Sequence, residues 1–331
     1  MKAIGQDRYG SPDVLALEDV EQPEVGDDDV LVRVHAAGVD QGVWHVMTGL
    51  PYLIRIMGNG LRRPKTRVRG SDLAGRVEAV GTNVRQFAAG DEVFGMADGS
   101  FAEYVRAAPK NLAPKPSSLS FVQAAAVPVS ALTALQGLRD HGKVQRGQRV
   151  LITGAGGGVG TFAVQLAKAF GAHVTGVCST AKLNLVRAIG ADHAIDYTRE
   201  DFAATGERWD LIFDIAGNRS LSPLRRALTP RGTLVIVGGE GGDRWIGGTD
   251  RQLRAMLVSP FLRHNLRTFV AQGRQADLRA LTELIEAGKV TPAIDRTYAL
   301  GDAPAAIRHL AEGRARGKLV ITVRDAGGAA R

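Results

Sequence analysis

The sequence predicts an α/β protein of two domains, in which a β-rich unit precedes a unit built on a doubly wound parallel sheet. Three observations predict this fold class. The chain has 331 residues, which corresponds to about two domains at roughly 150 residues per domain. Short strands separated by turn residues occupy its first third, as in an all-β unit. Strands and helices alternate after Gly147, as in a parallel sheet covered by helices.

The β-rich part is indicated by apolar residues that alternate with other residues along the chain. Val30–Ala36 alternates between apolar and other residues, as a half-buried strand does. Further short strands are predicted at Arg76–Val80, Glu92–Phe94 and Phe101–Val105. Between them, Gly49–Arg69 is rich in Arg and broken by Pro and Gly. Long loops without a period are usually functional or mobile.

The alternating part begins after an Ala-rich predicted helix, Phe121–Gly137. Its predicted strands are Arg149–Thr153, His173–Cys178, Leu211–Ile215, Thr233–Val237 and Leu266–Val270. Its predicted helices are Val159–Phe170, Ala181–Ile189 and Leu221–Leu228. A helix at Leu278–Ala287 and a strand at Lys318–Val323 follow. This order predicts βαβ units and therefore a parallel sheet.

Composition and charge narrow the function classes. Apolar residues make up 44% and charged residues 23%, which is typical of a globular protein. The net charge is +8, but the basic residues are scattered and only 5% of residues are aromatic, which disfavours nucleic-acid binding. No apolar run reaches the ~18 residues of a membrane span, so no membrane partner is expected. With no secretory segment and a single cysteine, Cys178, we expect a cytoplasmic protein without disulfides.

A glycine-rich turn follows the predicted strand Arg149–Thr153. Ile152–Gly160 reads ITGAGGGVG and opens a predicted helix. Strand, turn and helix in this order are typical of a dinucleotide site, because the pyrophosphate lies against bare backbone and the helix N-terminus. Ala155 holds the position of the usual first glycine. The predicted contacts with the dinucleotide are Gly154, Ala155, Gly156, Gly157, Gly158, Val159 and Gly160.

The end of the next predicted strand bears on the choice between NADH and NADPH. An NAD site carries an acidic residue there, but no Asp or Glu lies between Asp140 and Asp192. That place is occupied by Cys178, Ser179, Thr180 and Lys182. A neutral or cationic site accepts the 2′-phosphate that a carboxylate would repel. The sequence therefore predicts NADPH as the cofactor, with these four residues in contact with it.

A series of segments in order carries a further resemblance. The segments are His35–Gly49, Arg69–Gly81, Phe87–Gly95, Gly99–Val105, Ala124–Leu138, Cys178–Thr198 and Gly317–Ile321. Over nearly its whole length the chain resembles a zinc-free medium-chain dehydrogenase/reductase of the quinone oxidoreductase-like branch. The resemblance implies a GroES-like catalytic domain, residues 1–122 and 272–331, interrupted by a Rossmann NADPH-binding domain, residues 123–271. It also implies a homodimer.

The resemblance implies further cofactor contacts. Tyr197 matches the tyrosine that lies near the 2′-phosphate, and Thr133 matches a residue near the nicotinamide. The remaining predicted contacts are Ala216, Gly217, Val237, Gly238, Gly239 and Lys318.

No metal site is expected. The zinc enzymes of this superfamily carry a Cys in the turn that reads Ala37–Asp40 here, and this chain has none there. Asp40 also departs from the Asn that related quinone reductases often carry. His35 and His45 are isolated in the sequence, which favours a structural or surface role over metal binding.

Chemistry without zinc favours particular substrates. The acceptor oxygen must then meet hydrogen-bond donors or water, and a plain ketone is a difficult acceptor without a Lewis acid. A quinone or an α,β-unsaturated carbonyl is easier, because negative charge delocalises as hydride arrives. Tyr52 is the predicted proton donor. Asp40 either positions a donor or caps the local turn, and Trp44 is expected to shape the pocket wall.

Two other functions stay open at this point. One is a zinc-free alcohol or ketone dehydrogenase. The other is an NADPH-binding sensor or RNA-binding protein with little turnover. The leading prediction is an NADPH-dependent reductase whose partner is a small carbonyl compound or quinone.

Overall fold

The structure is a computed structural model that describes residues 1–239 and 243–323. The chain forms two compact units. Within the described residues, the β-rich unit comprises Met1–Leu132, Gly273–Ala287 and residues 292–323. The α/β unit comprises Thr133–Gln272 and Gly288–Thr291.

The strands of the described residues are numbered in chain order. They are β1 (Lys2–Gly5), β2 (Ala16–Asp19), β3 (Val30–Val39), β4 (Asp72–Val80), β5 (Glu92–Met96), β6 (Tyr104–Ala107), β7 (Leu112–Pro114), β8 (Arg149–Thr153), β9 (His173–Cys178), β10 (His193–Asp196), β11 (Trp209–Asp214), β12 (Leu228–Ile236), β13 (Asn265–Thr268), β14 (Ile294–Ala299) and β15 (Lys318–Thr322).

The α-helices of the same residues are numbered in the same way. They are α1 (Gln41–Thr48), α2 (Phe121–Ala125), α3 (Pro128–Gln136), α4 (Gly158–Ala169), α5 (Leu183–Ala188), α6 (Leu221–Arg226), α7 (Thr249–Val258), α8 (Gln275–Glu286) and α9 (Ala303–Ala311). Across residues 1–239 and 243–323, none of the helices has the length and apolar character needed to span a bilayer.

The β-rich unit is built on one large sheet. Its strand order is β14-β15-β3-β4-β5-β7, and β6 also pairs with β3. The pairings are antiparallel except that of β14 with β15. Alternate residues of β3, such as Val30, Val32 and Val34, enter a core that also receives Ile307 of α9. The predicted strand Val30–Ala36 is therefore confirmed and extends to Val39.

The α/β unit holds a six-stranded sheet in the order β10-β9-β8-β11-β12-β13. Every pairing in it is parallel. This is the order of a doubly wound sheet, in which ligands bind at the carboxyl ends of the strands where the order reverses. Here the order reverses between β8 and β11, which carry Thr153 and Asp214 at their carboxyl ends. The predicted fold class is confirmed.

The prediction of one continuous helix before the α/β unit is wrong. Phe121–Gly137 forms two helices, α2 and α3, with a break before Pro128. Proline has no N–H group and its ring clashes with the preceding turn, so it begins a helix but does not continue one. Ser120 caps α2 in a reciprocal capping box with Gln123.

Candidate functional site

The glycine turn between β8 and α4 is shaped for close approach of a ligand. Gly154 has a φ of +69°, a left-handed conformation that favours glycine. A Cβ atom on Gly160 would lie 2.1 Å from the carbonyl oxygen of Gly154, so no side chain fits there. The N-cap residue of α4, Gly157, has no side chain to cap the helix. The first N–H groups of α4 therefore receive no acceptor from their N-cap, which is the arrangement that binds phosphate.

Ala155 departs from the usual glycine because a neighbouring strand makes room for it. It is buried, and its N–H donates to the carbonyl oxygen of Val177 on β9 at 3.1 Å. A Cβ on Gly176 would lie 3.0 Å from the Ala155 methyl group. The absence of a side chain on Gly176 thus compensates for the methyl group in the turn, and the cradle fits a dinucleotide pyrophosphate despite the departure.

Lys182 lies over this turn. A Cβ on Gly156 would lie 2.8 Å from the Lys182 Cβ and 2.9 Å from its Cδ, so the aliphatic part of the lysine packs across the glycine. Lys182 ends a 3₁₀ turn, Thr180–Lys182, directly before α5. The structure thus brings Lys182 and Thr180 to the rim of the turn, where the sequence places the 2′-phosphate.

Asp196 is an acidic residue at this rim that the sequence reasoning missed. It ends β10, which pairs with β9. Its Oδ2 accepts a hydrogen bond from Thr180 Oγ1 at 2.5 Å, and its Oδ1 accepts from the hydroxyl of Thr198 at 2.7 Å. The bond from Thr180, followed by those from Thr198, lowers the pKa of Asp196. The sequence predicted a rim without a carboxylate. This expectation is wrong, because Asp196 reaches the rim from the neighbouring strand β10.

The carboxylate is already engaged by groups of this chain. Besides the two hydroxyls, the N–H of Thr198 donates to it at 3.0 Å and Arg199 Nε lies 3.7 Å away. Asp196 therefore ties the segment after β9 to the segment after β10. The signal that could have found it is the Asp-Tyr-Thr sequence, which begins at the last residue of β10, since Asp favours positions where it accepts from N–H groups two residues on.

Cys178, Ser179 and Tyr197 border the same rim. Cys178 is buried at the end of β9, and burial raises the pKa of its thiol. A buried neutral thiol is a poor nucleophile. The N–H of Tyr197 donates to the carbonyl oxygen of Cys178 at 3.1 Å, while the Tyr197 side chain is 55% exposed. The half-buried Ser179 leads into the 3₁₀ turn.

The ends of β11 and β12 hold the other predicted group of contacts. Ala216 and Gly217 follow β11, and Val237, Gly238 and Gly239 follow β12. Gly217 has a φ of +66°, and a Cβ on it would lie 2.6 Å from the carbonyl carbon of Gly238. The two segments therefore pack backbone against backbone.

Thr133 and Lys318 have different surroundings. Thr133 is a buried residue of α3. Lys318 begins β15, and its fully buried ammonium lies 3.2 Å from Oδ2 of Asp72. Oδ1 of Asp72 accepts a hydrogen bond from the N–H of Val129 at 2.8 Å. Burial raises the pKa of Asp72 to about 6. Lys318 thus has a buried carboxylate as its partner, and its contact with a cofactor stays a prediction.

Asp40 caps the start of a helix, which is one of the two roles that the sequence left open. Its Oδ1 accepts from the N–H groups of Gly42 and Val43 at 2.7 and 3.2 Å, which makes it the N-cap of α1. Its other oxygen, Oδ2, is buried without a hydrogen-bond partner among the described residues. Asp40 therefore acts as a helix cap through one of its two oxygens.

Tyr52 and Trp44 lie close together in the chain but in different settings. Trp44, on α1, packs against the core of the β-rich unit. Tyr52 lies in the loop after α1 and is half-buried. The guanidinium carbon of Arg55 lies 4.7 Å from the centre of its ring and 4.2 Å from that of Tyr9. A cation at this distance from an aromatic ring is attractive, so Arg55 stabilises the position of the Tyr52 ring.

Comparisons with known proteins agree with this architecture. Residues 26–117 match the alcohol dehydrogenase GroES-like domain, and residues 189–321 match the zinc-binding dehydrogenase domain. The 2-methylene-furan-3-one reductase of Solanum lycopersicum is 34% identical over 336 residues, which cover 97% of this chain and 79% of the relative. The chain belongs to the medium-chain dehydrogenase/reductase family. It lies in the quinone oxidoreductase-like branch, so the predicted family and the oxidoreductase class are confirmed.

Two further family members support the placement. The NADPH-dependent alkenal/one oxidoreductase of Arabidopsis thaliana is 32% identical over 343 residues, covering 97% of this chain and 79% of the relative. The solved structure of the quinone oxidoreductase from Coxiella burnetii matches with a TM-score of 0.87 and 33% identity, covering 98% of this chain and 99% of that one. Members of this kind are NAD(P)H-dependent.

One matched domain is named for zinc binding, but the described residues of this chain do not provide a zinc site. Among residues 1–239 and 243–323, no group of three His, Cys, Asp or Glu residues could hold a metal ion. His35 stacks on Phe121 with ring centres 4.2 Å apart, and Nδ1 of His45 lies 2.8 Å from the carbonyl oxygen of Leu50. The two histidines are thus used in packing and in a local hydrogen bond.

Proposed function

We propose that this family member transfers hydride from NADPH to a quinone or an α,β-unsaturated carbonyl. The observation that carries the proposal is the rim of the glycine turn, where the Lys182 side chain crosses Gly156. Three family relatives are named for quinones, for alkenals and alkenones, or for a methylene-furanone. Such acceptors share a conjugated carbonyl group.

NADPH is preferred over NADH in this account because of the charges and hydroxyls at the rim. A 2′-phosphate carries nearly two negative charges and three acceptor oxygens. Lys182 supplies a cation there, Ser179 supplies a hydroxyl, and Tyr197 supplies an exposed phenol. The Thr180 hydroxyl, in contrast, donates its hydrogen to Asp196. Asp196 opposes the phosphate electrostatically, but its oxygens are engaged by Thr180 and Thr198.

The reaction needs a hydride, a polarised acceptor and a proton. The bound nicotinamide supplies the hydride to the β-carbon of an enone. Negative charge then collects on the carbonyl oxygen, where a hydrogen-bond donor stabilises it. We assign proton donation to Tyr52, and Arg55 restrains its ring. Asp40, whose Oδ2 is buried without a hydrogen-bond partner among the described residues, is the proposed residue for positioning a water molecule.

The proposal is tested by steady-state oxidation of NADPH with matched acceptors. The panel contains an ortho-quinone, an alkenone and the saturated ketone of the same skeleton, each with and without a metal chelator. We expect turnover with the first two, none with the saturated ketone, and no effect of the chelator.

Other outcomes of this experiment would replace the proposal. Turnover with the saturated ketone alone would identify a ketone reductase. Saturable NADPH binding without any turnover would identify a sensor or a binding protein. Loss of activity on chelation would contradict the zinc-free assignment.

Replacement of Tyr52 by Phe tests the proton donor. We expect Tyr52→Phe to lower kcat for an enone by about 100-fold, because general acid catalysis typically contributes that much. The KM should change little, because the ring and its contact with Arg55 remain. The loss should be smaller for a quinone, whose reduced anion is a weaker base. Tyr104→Phe, on β6 of the same unit, is the matched control, and an equal loss in both variants would contradict the assignment.

We also propose a homodimeric state and a cytoplasmic location. The strand β13 lies at one edge of the six-stranded sheet, and such edges in proteins are often covered by pairing or by packing. Exposed apolar side chains lie beside it, including Phe261 at 88% and Leu257 at 72%, and such clusters mark protein interfaces. Sedimentation equilibrium measures the number of chains directly.

A further inference from the structure

The carboxyl ends of β11 and β12 form a surface of bare backbone, which we call the backbone shelf (Ala216, Gly217, Gly238 and Gly239). A Cβ on Gly238 would lie 1.9 Å from the carbonyl oxygen of Ile215, and one on Gly217 would lie 2.6 Å from the Gly238 carbonyl carbon. The shelf therefore admits no larger side chain at either glycine. With no side chains beyond one methyl group, the shelf cannot hold its own shape by side-chain packing.

One buried side chain of α7 contacts the shelf at Gly238 and the segment after β11 at Arg219. Arg251 is 8% exposed. Its Nη2 donates to the carbonyl oxygen of Gly238 at 3.0 Å, and its Nη1 donates to that of Arg219 at 2.8 Å. Nη1 also lies 2.6 Å from Oδ2 of Asp214. A single guanidinium thus joins the segment after β12 to the segment after β11.

The ion pair continues to the glycine turn through Thr153. Thr153 Oγ1 donates to Oδ1 of Asp214 at 2.6 Å and accepts from the N–H groups of Ile215 and Ala216 at 3.1 and 3.2 Å. Thr153 ends β8, directly before the turn. The contacts of Thr153, Asp214 and Arg251 therefore cross three neighbouring strands, β8, β11 and β12, at the edge where such sheets bind ligands.

The energetics of this network make Arg251 its critical member. Asp214 is 1% exposed. A buried carboxylate that loses its cationic partner strongly destabilises the folded protein. Removal of the guanidinium also leaves two carbonyl oxygens without their charged donor, and a buried acceptor left without a donor is unfavourable. The backbone of the shelf would then shift until its carbonyl oxygens found other donors, and the shelf would no longer fit a ligand.

We propose that Arg251 is a positioning residue for the coenzyme, which holds the backbone shelf in place for the nicotinamide half of the dinucleotide. The inference rests on the proposed function only in that a nicotinamide dinucleotide binds at this edge. Arg251 acts on the part of the ligand that NADPH and NADH share. It therefore sets the affinity for both coenzymes equally, unlike Lys182, which faces the part in which they differ.

The test is a direct titration of each coenzyme with the substrate-free protein, followed by nucleotide fluorescence. We expect Arg251→Met to raise the Kd for NADPH and for NADH by the same factor of about tenfold or more. Arg251→Lys, which keeps the charge, should recover part of the loss. Arg254→Met is the matched control, because Arg254 lies on the same helix and is 74% exposed, and it should bind as the wild type does.

Steady-state kinetics of the Arg251 variant and substitutions of Thr153 supply independent readouts. Arg251→Met should raise the KM for either coenzyme more than it lowers kcat at saturation. If this variant does not fold, Thr153→Val tests the same network, and it should bind both coenzymes more weakly than Thr153→Ser, which keeps the hydroxyl. A lower melting temperature with unchanged Kd values, or a loss confined to NADPH, would overturn the inference alone. A wild-type protein that binds neither coenzyme would overturn the proposed function together with it.

Discussion

Replacement of Lys182 by Glu is expected to weaken NADPH binding by about 100- to 1000-fold and to leave NADH binding almost unchanged. The substitution changes the side-chain charge by two units next to a 2′-phosphate with nearly two negative charges. At about 4 Å each pair of unit charges interacts by ~1 kcal/mol even in water, and salt reduces the total. Titrations of both coenzymes at one ionic strength measure the effect.

The control for this variant is Lys289→Glu. Lys289 is exposed and lies in the Gly288–Thr291 segment of the same unit. The control changes the net charge of the protein by the same two units, so it separates a local effect from a general one. Equal losses for NADPH and NADH in Lys182→Glu would place the 2′-phosphate elsewhere.

Replacement of Lys318 by Met is expected to lower the free energy of unfolding by about 3–5 kcal/mol at pH 7, the usual cost of removing one partner of a buried ion pair. Lys318 and Asp72 are 1% and 0% exposed. The double variant Asp72→Asn with Lys318→Met should recover most of the loss, because the amide oxygen of Asn can still accept from Val129. Denaturant titrations measure both values.

The loss in Lys318→Met should depend on pH. Burial raises the pKa of Asp72 to about 6, above its value in an unfolded chain. Folding then takes up a proton between these values, so the contribution of Asp72 to stability falls as the pH rises. Without Lys318 the folded-state pKa of Asp72 should rise further, so the variant should regain stability as the pH falls through that raised pKa, from above about 6 toward about 4. Unchanged NADPH affinity at that lower pH would limit Lys318 to a structural role, and a raised Kd would support its predicted cofactor contact.

The parts of the site that depend on local signals could be predicted from the sequence. β8 and β9 have the predicted bounds, Arg149–Thr153 and His173–Cys178. Strands buried in a parallel sheet are apolar almost without interruption, and a run of glycines marks the turn that follows β8. These signals lie within a few residues of each other, so no tertiary contact is needed to interpret them.

The parts that depend on contacts between distant residues could not be predicted. Asp196 reaches the rim from β10, and Arg251 reaches Asp214 from α7. The helix α7 was not predicted, because several of its apolar side chains, such as Leu253 and Met256, are exposed and form no core-facing stripe.

The helix α1 was also missed, although its ends carry recognisable signals. Asp40 is its N-cap, and Gly49 adopts a left-handed conformation after its last residue, with a φ of +62°. An Asp before the first turn and a Gly after the last are the usual helix boundaries. The segment His35–Gly49, which carries part of the family resemblance, therefore contains the end of β3 and the whole of α1.

The position of deuterium in the product tests the central claim most directly. The wild-type protein is incubated with NADPH deuterated at the transferable C4 position and an alkenone, and the product is examined by mass spectrometry and proton NMR. Hydride transfer to a conjugated acceptor predicts a saturated ketone with one deuterium on the carbon β to the intact carbonyl group. Deuterium on the carbonyl carbon of an alcohol product, or a product without deuterium, would contradict the account.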